Sequence, residues 1–241
     1  MIQVVTRTLP FFKRQEIWFY RNEEITLTQQ NLFYQAINIP KHYPYQEFTT
    51  LITLLGEHES VLWNKISRTF QYHIRKAEKS SPVSCAYFSP NEDLLKRYLS
   101  THRQFAATKS IQTFDPVRLT NLIESRNVCI TTVDIAGQPV IFHCYLVNGS
   151  TARLLSSHDV STLKPSERGY LNKFLHWHDI LMFKKLDYDE YDWGGISNEV
   201  ADGRRFFKES FGGNSRKYYN FVIAGSIYRI AKACINFFKK R

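Results

Sequence analysis

The sequence predicts an α/β (α+β) fold in which a central mixed, mostly antiparallel sheet is flanked by helices. Three segments rich in Val, Ile, Thr and aromatic residues predict consecutive strands: 127–135, 138–147 and 151–158. Ala136-Gly137 separates the first pair and Asn148-Gly149 the second, and Asn-Gly is a strong hairpin signal because both positions tolerate positive φ. We therefore expect a three-stranded antiparallel meander. An amphipathic helix over 168–185 then leads to a strand over 188–193, which is expected to lie next to the meander.

The remaining segments predict further helices and strands. Residues 15–20 predict a strand, whereas 28–56 mixes aromatic and polar residues with prolines and is expected to be irregular. Over 62–79 apolar residues recur at steps of three and four, which is the period of one buried helical face. Other helices and a last strand are predicted over 91–107, 116–124, 203–211 and 217–224.

Composition restricts the partners and the compartment. Lys and Arg exceed Asp and Glu by 32 − 22 = +10, which favours a polyanionic partner: phosphates of a cofactor, a nucleotide-linked substrate, tRNA or an anionic membrane surface. The four cysteines show no CxxC spacing, and His176 and His178 face apart on a helix, so neither a disulfide framework nor a metal site is expected. With no signal peptide and no apolar stretch of about 20 residues, a soluble, cytoplasmic protein is expected.

Four motifs follow one another along the chain. They are Ile74-Arg75-Lys76-Ala77-Glu78-Lys79, the helical segment 168–180 with Leu175, Trp177 and Ile180, Tyr191-Asp192-Trp193-Gly194-Gly195-Ile196, and Phe206-Phe207-Lys208-Glu209-Ser210-Phe211-Gly212-Gly213. In this order they resemble motifs of the Fem-like branch of the GNAT acyltransferase superfamily, so the chain looks like a single-domain relative of Fem-type peptidyltransferases. The resemblance implies a GNAT-like acyltransferase fold, which the order of predicted elements also suits.

The resemblance also suggests a division of the chain. Residues 1–110 form an N-terminal region, interpreted as a reduced first GNAT half that includes the basic helix at 62–79. Residues 111–225 form the GNAT-like acyltransferase core. The tail 226–241 has an apolar stripe at helical spacing and several basic residues, so it is predicted to be an amphipathic helix that lies on an anionic membrane surface or, alternatively, packs on the protein itself.

Acyl transfer needs a cradle for the donor, a group that stabilises the developing oxyanion, and a proton acceptor. In the GNAT fold the cradle is the N-terminus of the helix after the meander, whose free N–H groups attract phosphates. The resemblance therefore implies that Arg168, Gly169 and Asn172 bind the cofactor, with acyl-CoA as the donor substrate and no metal. Only Arg168-Gly169 remains of the usual phosphate-binding loop.

Three residues are candidates for the transfer step. The resemblance associates Lys208 with transfer, and an ammonium there would stabilise the oxyanion; otherwise it is a solvated lysine. Asp192 ends a strand beside two glycines, where it would accept a proton or cap the next turn. His158 at the end of the meander is a candidate base, whereas His143, inside an apolar strand, is predicted to be a hydrogen-bonded core histidine.

Four further residues are assigned to the substrate. Arg75 and Lys76 belong to a basic helical face that would grip a nucleotide or lipid diphosphate, or would simply be solvated. Trp193 would wall the acceptor pocket or lie in the core. Arg204, one helical turn before Lys208, is expected to act through substrate affinity.

The sequence thus predicts an acyltransferase that moves an acyl group from acyl-CoA onto an amine or hydroxyl of a cell-envelope sugar or peptide precursor, small or lipid-linked. It would work in the cytoplasm or at the inner face of the membrane. An aminoacyl-tRNA-dependent Fem-type aminoacyltransferase is the first alternative. A nucleic-acid-binding module, suited by the basic charge and the many aromatic residues, is the second.

Overall fold

The structure, a computed structural model, describes residues 1–9, 12–39, 43–80, 82–160, 163–196 and 203–225. These residues form ten strands and six helices: β1 Ile2–Leu9, β2 Phe12–Trp18, β3 Gln30–Ala36, β4 Tyr45–Leu54, α1 Glu59–Lys65, α2 Arg68–Glu78, β5 Val83–Tyr87, α3 Glu92–Lys109, α4 Pro116–Glu124, β6 Val128–Ile135, β7 Gln138–Val147, β8 Thr151–Asp159, α5 Pro165–Lys185, β9 Glu190–Gly195, α6 Gly203–Glu209 and β10 Asn214–Ala224. No helix in this part of the chain is long and apolar enough to cross a membrane. The predicted tail helix 226–241 lies outside the described residues.

The predicted meander and its neighbouring strand are confirmed. β6, β7 and β8 pair in antiparallel order, with Val128 opposite Leu146 and Val147 opposite Ala152. After α5, strand β9 pairs with β8 in parallel, with Ala152 opposite Tyr191. Since β2 and β3 also pair in parallel while the other described pairs are antiparallel, the sheet is mixed and mostly antiparallel, as predicted.

The prediction of an irregular segment over 28–56 is wrong, because this segment contains β3 and β4. Its polar residues suggested a loop, but several of them are buried and hydrogen-bonded. Asn31 and Gln35 are each 1 % exposed, and the Asn31 side chain accepts a hydrogen bond from Gln15 Nε2 at 2.7 Å. A strand with satisfied polar side chains lacks the alternation that reveals strands in a sequence. β1 and β5 were also not predicted.

The single helix predicted over 62–79 is two helices, α1 and α2. Ile66 and Ser67 both have extended backbone angles, and the Ser67 side chain caps α2 by accepting the N–H of Phe70 at 3.4 Å. The Ser67 N–H donates to the carbonyl of Ser210, 2.8 Å away. The apolar period continues across the break because Leu62, Ile66, Phe70 and Ile74 belong to one core.

The chain packs into two compact units that interleave along the sequence. The described residues of the first unit belong to Met1–Thr49, Val117–Ser125 and 217–225. Its core is built around Ile17, Phe33, Ala36 and Phe221, and the rings of Phe33 and Phe221 stack at 4.3 Å. The predicted division at residues 110 and 225 follows the resemblance rather than packing, and it stays a prediction.

The second unit comprises Thr50–Pro116 and Arg126–Arg216. Its strands lie in the order β4-β9-β8-β7-β6-β5. Neighbouring residues of a strand point to opposite faces of the sheet. His143 of β7 contacts α5, whereas Phe142 contacts Tyr98 of α3, so α5 covers one face and α3 the other. The large apolar core, with Phe183, Trp193 and Phe211, lies on the α5 face together with α2.

Candidate functional site

A buried carboxylate organises the face of the sheet covered by α5. Asp179 of α5 is 2 % exposed, and its Oδ2 atom is within hydrogen-bond distance of three side chains of the meander. It accepts from Thr131 Oγ1 at 3.0 Å, from Tyr145 OH at 2.5 Å, and lies 2.7 Å from His143 Nδ1. A buried carboxylate without such donors would be very unfavourable, so these contacts hold α5 in place on the sheet.

The hydrogen bonds continue from Asp179 in two directions. On one side, Tyr145 OH lies 2.8 Å from Tyr191 OH, which lies 2.7 Å from His176 Nδ1. On the other side, His143 Nε2 lies 2.8 Å from Asn172 Oδ1, which also accepts from Ser157 Oγ at 2.9 Å. We call the six linked side chains of Asn172, His143, Asp179, Tyr145, Tyr191 and His176 the polar relay.

His176 ends the polar relay inside an aromatic enclosure. Its ring centroid is 4.9 Å from that of Trp193, 5.4 Å from Phe207 and 5.7 Å from Phe211. Burial, then the nearby His143 and the ammonium groups of Lys208 and Lys173, hold the pKa of His176 well below its usual range. The imidazole is therefore neutral near pH 7.

Two lysines lie near enough to His176 for their charges to lower its pKa. Lys173 is only 9 % exposed, and its Nζ donates to the Gly169 carbonyl at 2.9 Å and lies 4.5 Å from the Phe70 ring centroid. It forms no ion pair with a carboxylate of the described residues, and burial lowers its pKa. Lys208 of α6 is half-buried and donates to the Gly195 carbonyl at 2.6 Å. Arg204, one turn earlier on α6, is exposed.

Asp192 and Trp193 make contacts that fit the structural interpretations given above, in which Asp192 caps a turn and Trp193 lies in the core. Asp192 is fully buried, accepts the hydroxyl proton of Thr50, and caps the next turn by accepting the Gly194 N–H at 2.8 Å. Trp193 is also fully buried, and its Nε1 donates to Thr53 at 3.0 Å. Both side chains thereby tie β9 to β4. Trp193 lies on the His176 side, and Asp192 points to the opposite face.

The predicted cofactor residues do not converge on a phosphate cradle. The Arg168 guanidinium lies 3.1 Å from Asp159 and donates to the Leu163 carbonyl at 3.2 Å. Asn172 belongs to the polar relay, and the Gly169 carbonyl accepts from Lys173. The Arg168 guanidinium is thus paired with a carboxylate of the protein itself.

His158 lies on the face of the sheet covered by α3, away from the polar relay. Its Nε2 is 3.1 Å from Thr101 Oγ1, and its ring packs against Phe142 and Tyr98. Burial, with smaller contributions from two other histidines, lowers its pKa to about 3. The structure thus does not bring His158 together with Lys208.

The basic face of α2 lies beside α5. Lys76 Nζ is 3.3 Å from Tyr170 OH and 4.5 Å from the ring centroid of the same tyrosine. Arg75 lies over the Trp63 ring at 5.2 Å. The positive charges of Lys173 and Lys76 add to burial in lowering the pKa of His73, which packs against Tyr170. Cations of α2 and α5 therefore lie close together.

The sequence analysis assigned roles to residues around the polar relay, such as Trp193 and Lys208, but it did not predict the hydrogen-bond network itself. Tyr191 was quoted only within a motif, and Tyr145, Asp179, His176 and Lys173 were given no role. One signal was present in α5, where Asn172, His176 and Asp179 form a polar stripe at steps of four and three along a buried face. The prediction that His143 is a hydrogen-bonded core histidine is confirmed.

The side chains of His143, His176 and Asp179 each place one possible ligand atom within 4.8 Å of the others. However, Asp179 Oδ2 already meets three donors, and the Nδ1 atom of each histidine is engaged in a hydrogen bond of the relay. A separation of 2.7 Å between His143 and Asp179 is a hydrogen-bond distance. The arrangement is therefore a hydrogen-bond network rather than a ligand set.

No protein-family model matches the sequence, and no curated protein is significantly similar to it. Solved structures do resemble the fold. FemX superposes with a TM-score of 0.59 at 12 % identity, over 80 % of this chain and 65 % of the FemX chain. A C-terminal domain named as lysylphosphatidylglycerol synthetase from Agrobacterium fabrum gives 0.56 at 12 %, over 85 % of this chain and 71 % of that one. The L-PGS of Bacillus licheniformis gives 0.55 at 15 %, over 79 % and 67 %.

These likenesses, at such low identities, concern the fold. The chain has the fold of FemX and of the lysylphosphatidylglycerol synthetase domains, which agrees with the Fem-like fold that the sequence predicted. The chain spans about two thirds of the length of FemX, 65 %.

Proposed function

We propose that the protein is an acyltransferase that moves an activated acyl group onto an amine or hydroxyl of an anionic cell-envelope precursor by direct attack. The observation that carries this proposal is the position of Lys173 and Lys208 beside a neutral, buried His176 in a Fem-like fold. Such a site offers cations for an anionic substrate and a protected place for proton transfer. The name of the similar synthetase describes an aminoacyl ester of an anionic phospholipid, which fits an anionic acceptor.

The donor is more consistent with an aminoacyl-tRNA than with acyl-CoA. Acyl-CoA carries a diphosphate, and the expected place for it at the start of α5 has Asp159 beside Arg168. The aminoacyl ester at the end of a tRNA needs no diphosphate cradle, and the basic face of α2 around Arg75 and Lys76 suits an RNA backbone.

In the proposed reaction Lys208 stabilises the oxyanion of the tetrahedral intermediate. Its ammonium is held by the Gly195 carbonyl at the end of β9 and next to the enclosure of His176. Positive charge in a partly desolvated position is effective because little solvent competes with it. Lys173 contributes a second positive charge, which binds the anionic part of the substrate. Arg204 is proposed to add affinity from the exposed side of α6.

The test is a transfer assay with purified protein and two donor pools, aminoacyl-tRNA and acyl-CoA, against envelope precursors and anionic phospholipids. Mass spectrometry detects the acylated product. We expect product from aminoacyl-tRNA, and a large loss of turnover in Lys208→Ala. Lys96→Ala is the matched control, since Lys96 forms an exposed pair with Glu92 on α3. Product from acyl-CoA alone would reverse the choice of donor, and no product from either pool would contradict the proposal.

The nucleic-acid-binding alternative makes a different prediction for the same purified protein. It requires salt-dependent binding of RNA without any transfer of an acyl group.

The membrane association predicted for the tail 226–241 is tested separately, by flotation with anionic vesicles at low salt. Full-length protein should co-float, and protein lacking 226–241 should not. Equal flotation of both proteins, or of neither, would contradict a membrane role for the tail.

A further inference from the structure

The directions of the hydrogen bonds in the polar relay follow from its carboxylate. Tyr145 has one hydroxyl proton and donates it to Asp179. Its contact with Tyr191 at 2.8 Å must therefore be one in which Tyr191 donates. Since the single hydroxyl proton of Tyr191 is then used, the 2.7 Å contact with His176 Nδ1 requires that Nδ1 carries a proton and donates it.

This assignment fixes the tautomer of His176. A neutral imidazole carries one N–H, so a proton on Nδ1 leaves Nε2 as a lone-pair acceptor. Burial and neighbouring positive charges keep the ring neutral. The groups around it are Lys173 on α5, Lys208 on α6, His143 on β7 and Tyr191 on β9. The relay therefore holds a base beside the two lysines that the proposed reaction uses.

We propose that Nε2 of His176 accepts the proton of the attacking amine or hydroxyl and then returns it to the leaving group of the donor. This inference rests on the transferase function proposed above. The nucleophile forms a bond to the acyl carbon, and the bond from that carbon to the leaving oxygen or sulfur breaks. The transient charge on His176 is stabilised through Tyr191 and Tyr145 by the carboxylate of Asp179.

The lysines make this base depend on the substrate. Without substrate, the charges of Lys173 and Lys208 oppose protonation of His176. An anionic substrate that pairs with them removes part of that repulsion, so the imidazole becomes a better proton acceptor when the site is filled. His176 would then accept a proton mainly in the complex.

The first test does not depend on activity. Protein labelled with ¹⁵N in its histidines is observed by long-range ¹H–¹⁵N correlation, and the His176 signals are assigned by their absence in His176→Asn. We expect a neutral ring with a protonated Nδ1 and an unprotonated Nε2 at pH 7, and loss of this single tautomer in Tyr191→Phe. A proton on Nε2, or a charged ring, overturns the inference whether or not a donor has been found.

The second test measures transfer. Asn places an amide nitrogen near the position of histidine Nδ1, so His176→Asn keeps a donor for Tyr191 and removes the base. We expect kcat to fall about 100-fold or more, the usual contribution of a general base, with KM within about threefold of wild type. Circular dichroism checks the fold. A folded variant with near wild-type kcat overturns the inference. Absence of transfer in the wild-type protein would instead contradict the proposed function, and the tautomer would still be measured.

Discussion

Two histidine clusters lie on opposite faces of the sheet in the second unit, and they differ in one respect. On the α5 face, His143 contacts Asp179 directly, and His176 is linked to it through the hydroxyl groups of Tyr191 and Tyr145. On the α3 face, His158 packs against His102 and aromatic rings, and among the described residues its Nδ1 has no hydrogen-bond partner and no carboxylate contacts its ring. Both clusters are buried. Asp179 therefore fixes the tautomer of His176 and would stabilise a proton that its ring accepts, whereas the described surroundings of His158 offer no such carboxylate.

The largest difference between the two faces should appear in stability. Asp179→Asn places amide protons among three donors that need an acceptor, so the free energy of unfolding should fall by about 3 kcal/mol or more. Thr101→Val removes the hydroxyl group that lies 3.1 Å from His158 Nε2 and should cost about 1 kcal/mol. Urea denaturation measures the free energy of unfolding of both variants, provided that each variant keeps the m-value of the wild-type protein. Equal losses would mean that the carboxylate is not what distinguishes the faces.

Variants of the two faces should also differ in kcat, with the larger loss on the α5 face. Lys208→Ala should lower kcat about 100-fold, equivalent to about 2.7 kcal/mol, because its charge acts mainly on the transition state. His158→Phe keeps the packing with Phe142 and Tyr98 and should leave kcat within about threefold of wild type. Steady-state kinetics on folded variants decides. A Lys208→Ala protein within threefold of wild type would remove this lysine from the transfer step.

Protonation of His158 on the α3 face should be visible as a loss of stability in acid. The folded-state pKa of His158 is lowered to about 3, so the unfolded chain, with a pKa near 6.5, binds the proton first. Its contribution to stability is present above pH 6.5 and is lost as the pH falls toward 3, at about 1.4 kcal/mol per pH unit. As the pH falls from 6.5 to about 4.5, the free energy of unfolding of His158→Phe should decrease by about 2 kcal/mol less than that of the wild-type protein. Parallel pH profiles in denaturation would contradict the assignment.

The smallest effect concerns Lys173 on the α5 face. Burial of its ammonium without a described carboxylate is unfavourable, and the Phe70 ring offsets only part of that cost. Lys173→Met should therefore raise the free energy of unfolding by about 1 kcal/mol while raising KM for the anionic substrate. Lys96→Met, at an exposed position, should change neither quantity. A destabilised Lys173→Met protein with normal KM would mean that the lysine is structural.

The sequence predicted the meander and its helix well because local signals determine them. β7 and α4 have the predicted bounds, and both are delimited by turn residues or proline. β3 was not predicted because the side chain of its buried Asn31 and the backbone N–H of Gln35 find partners that are distant in sequence. Long-range partners leave no local pattern.

The candidate site was predictable only in part for the same reason. Lys208 was named from a motif, whereas Thr131, Tyr145, Asp179 and Tyr191 come from four elements that only the sheet order brings together. Arg168 shows the converse, since the acid that neutralises it, Asp159, ends another element. No spacing in the sequence reveals that pair.

The turn after α6 explains what the two glycines of the last motif are for. Gly212 and Gly213 have φ angles of 78° and 126°. A Cβ atom at Gly212 would lie 2.9 Å from Lys65 Cβ, and one at Gly213 would lie 3.0 Å from the Ile52 carbonyl oxygen. These glycines are thus required by backbone geometry and not by the chemistry of the site. A homologue that keeps both glycines but replaces Lys208 should therefore fold normally and be a pseudoenzyme.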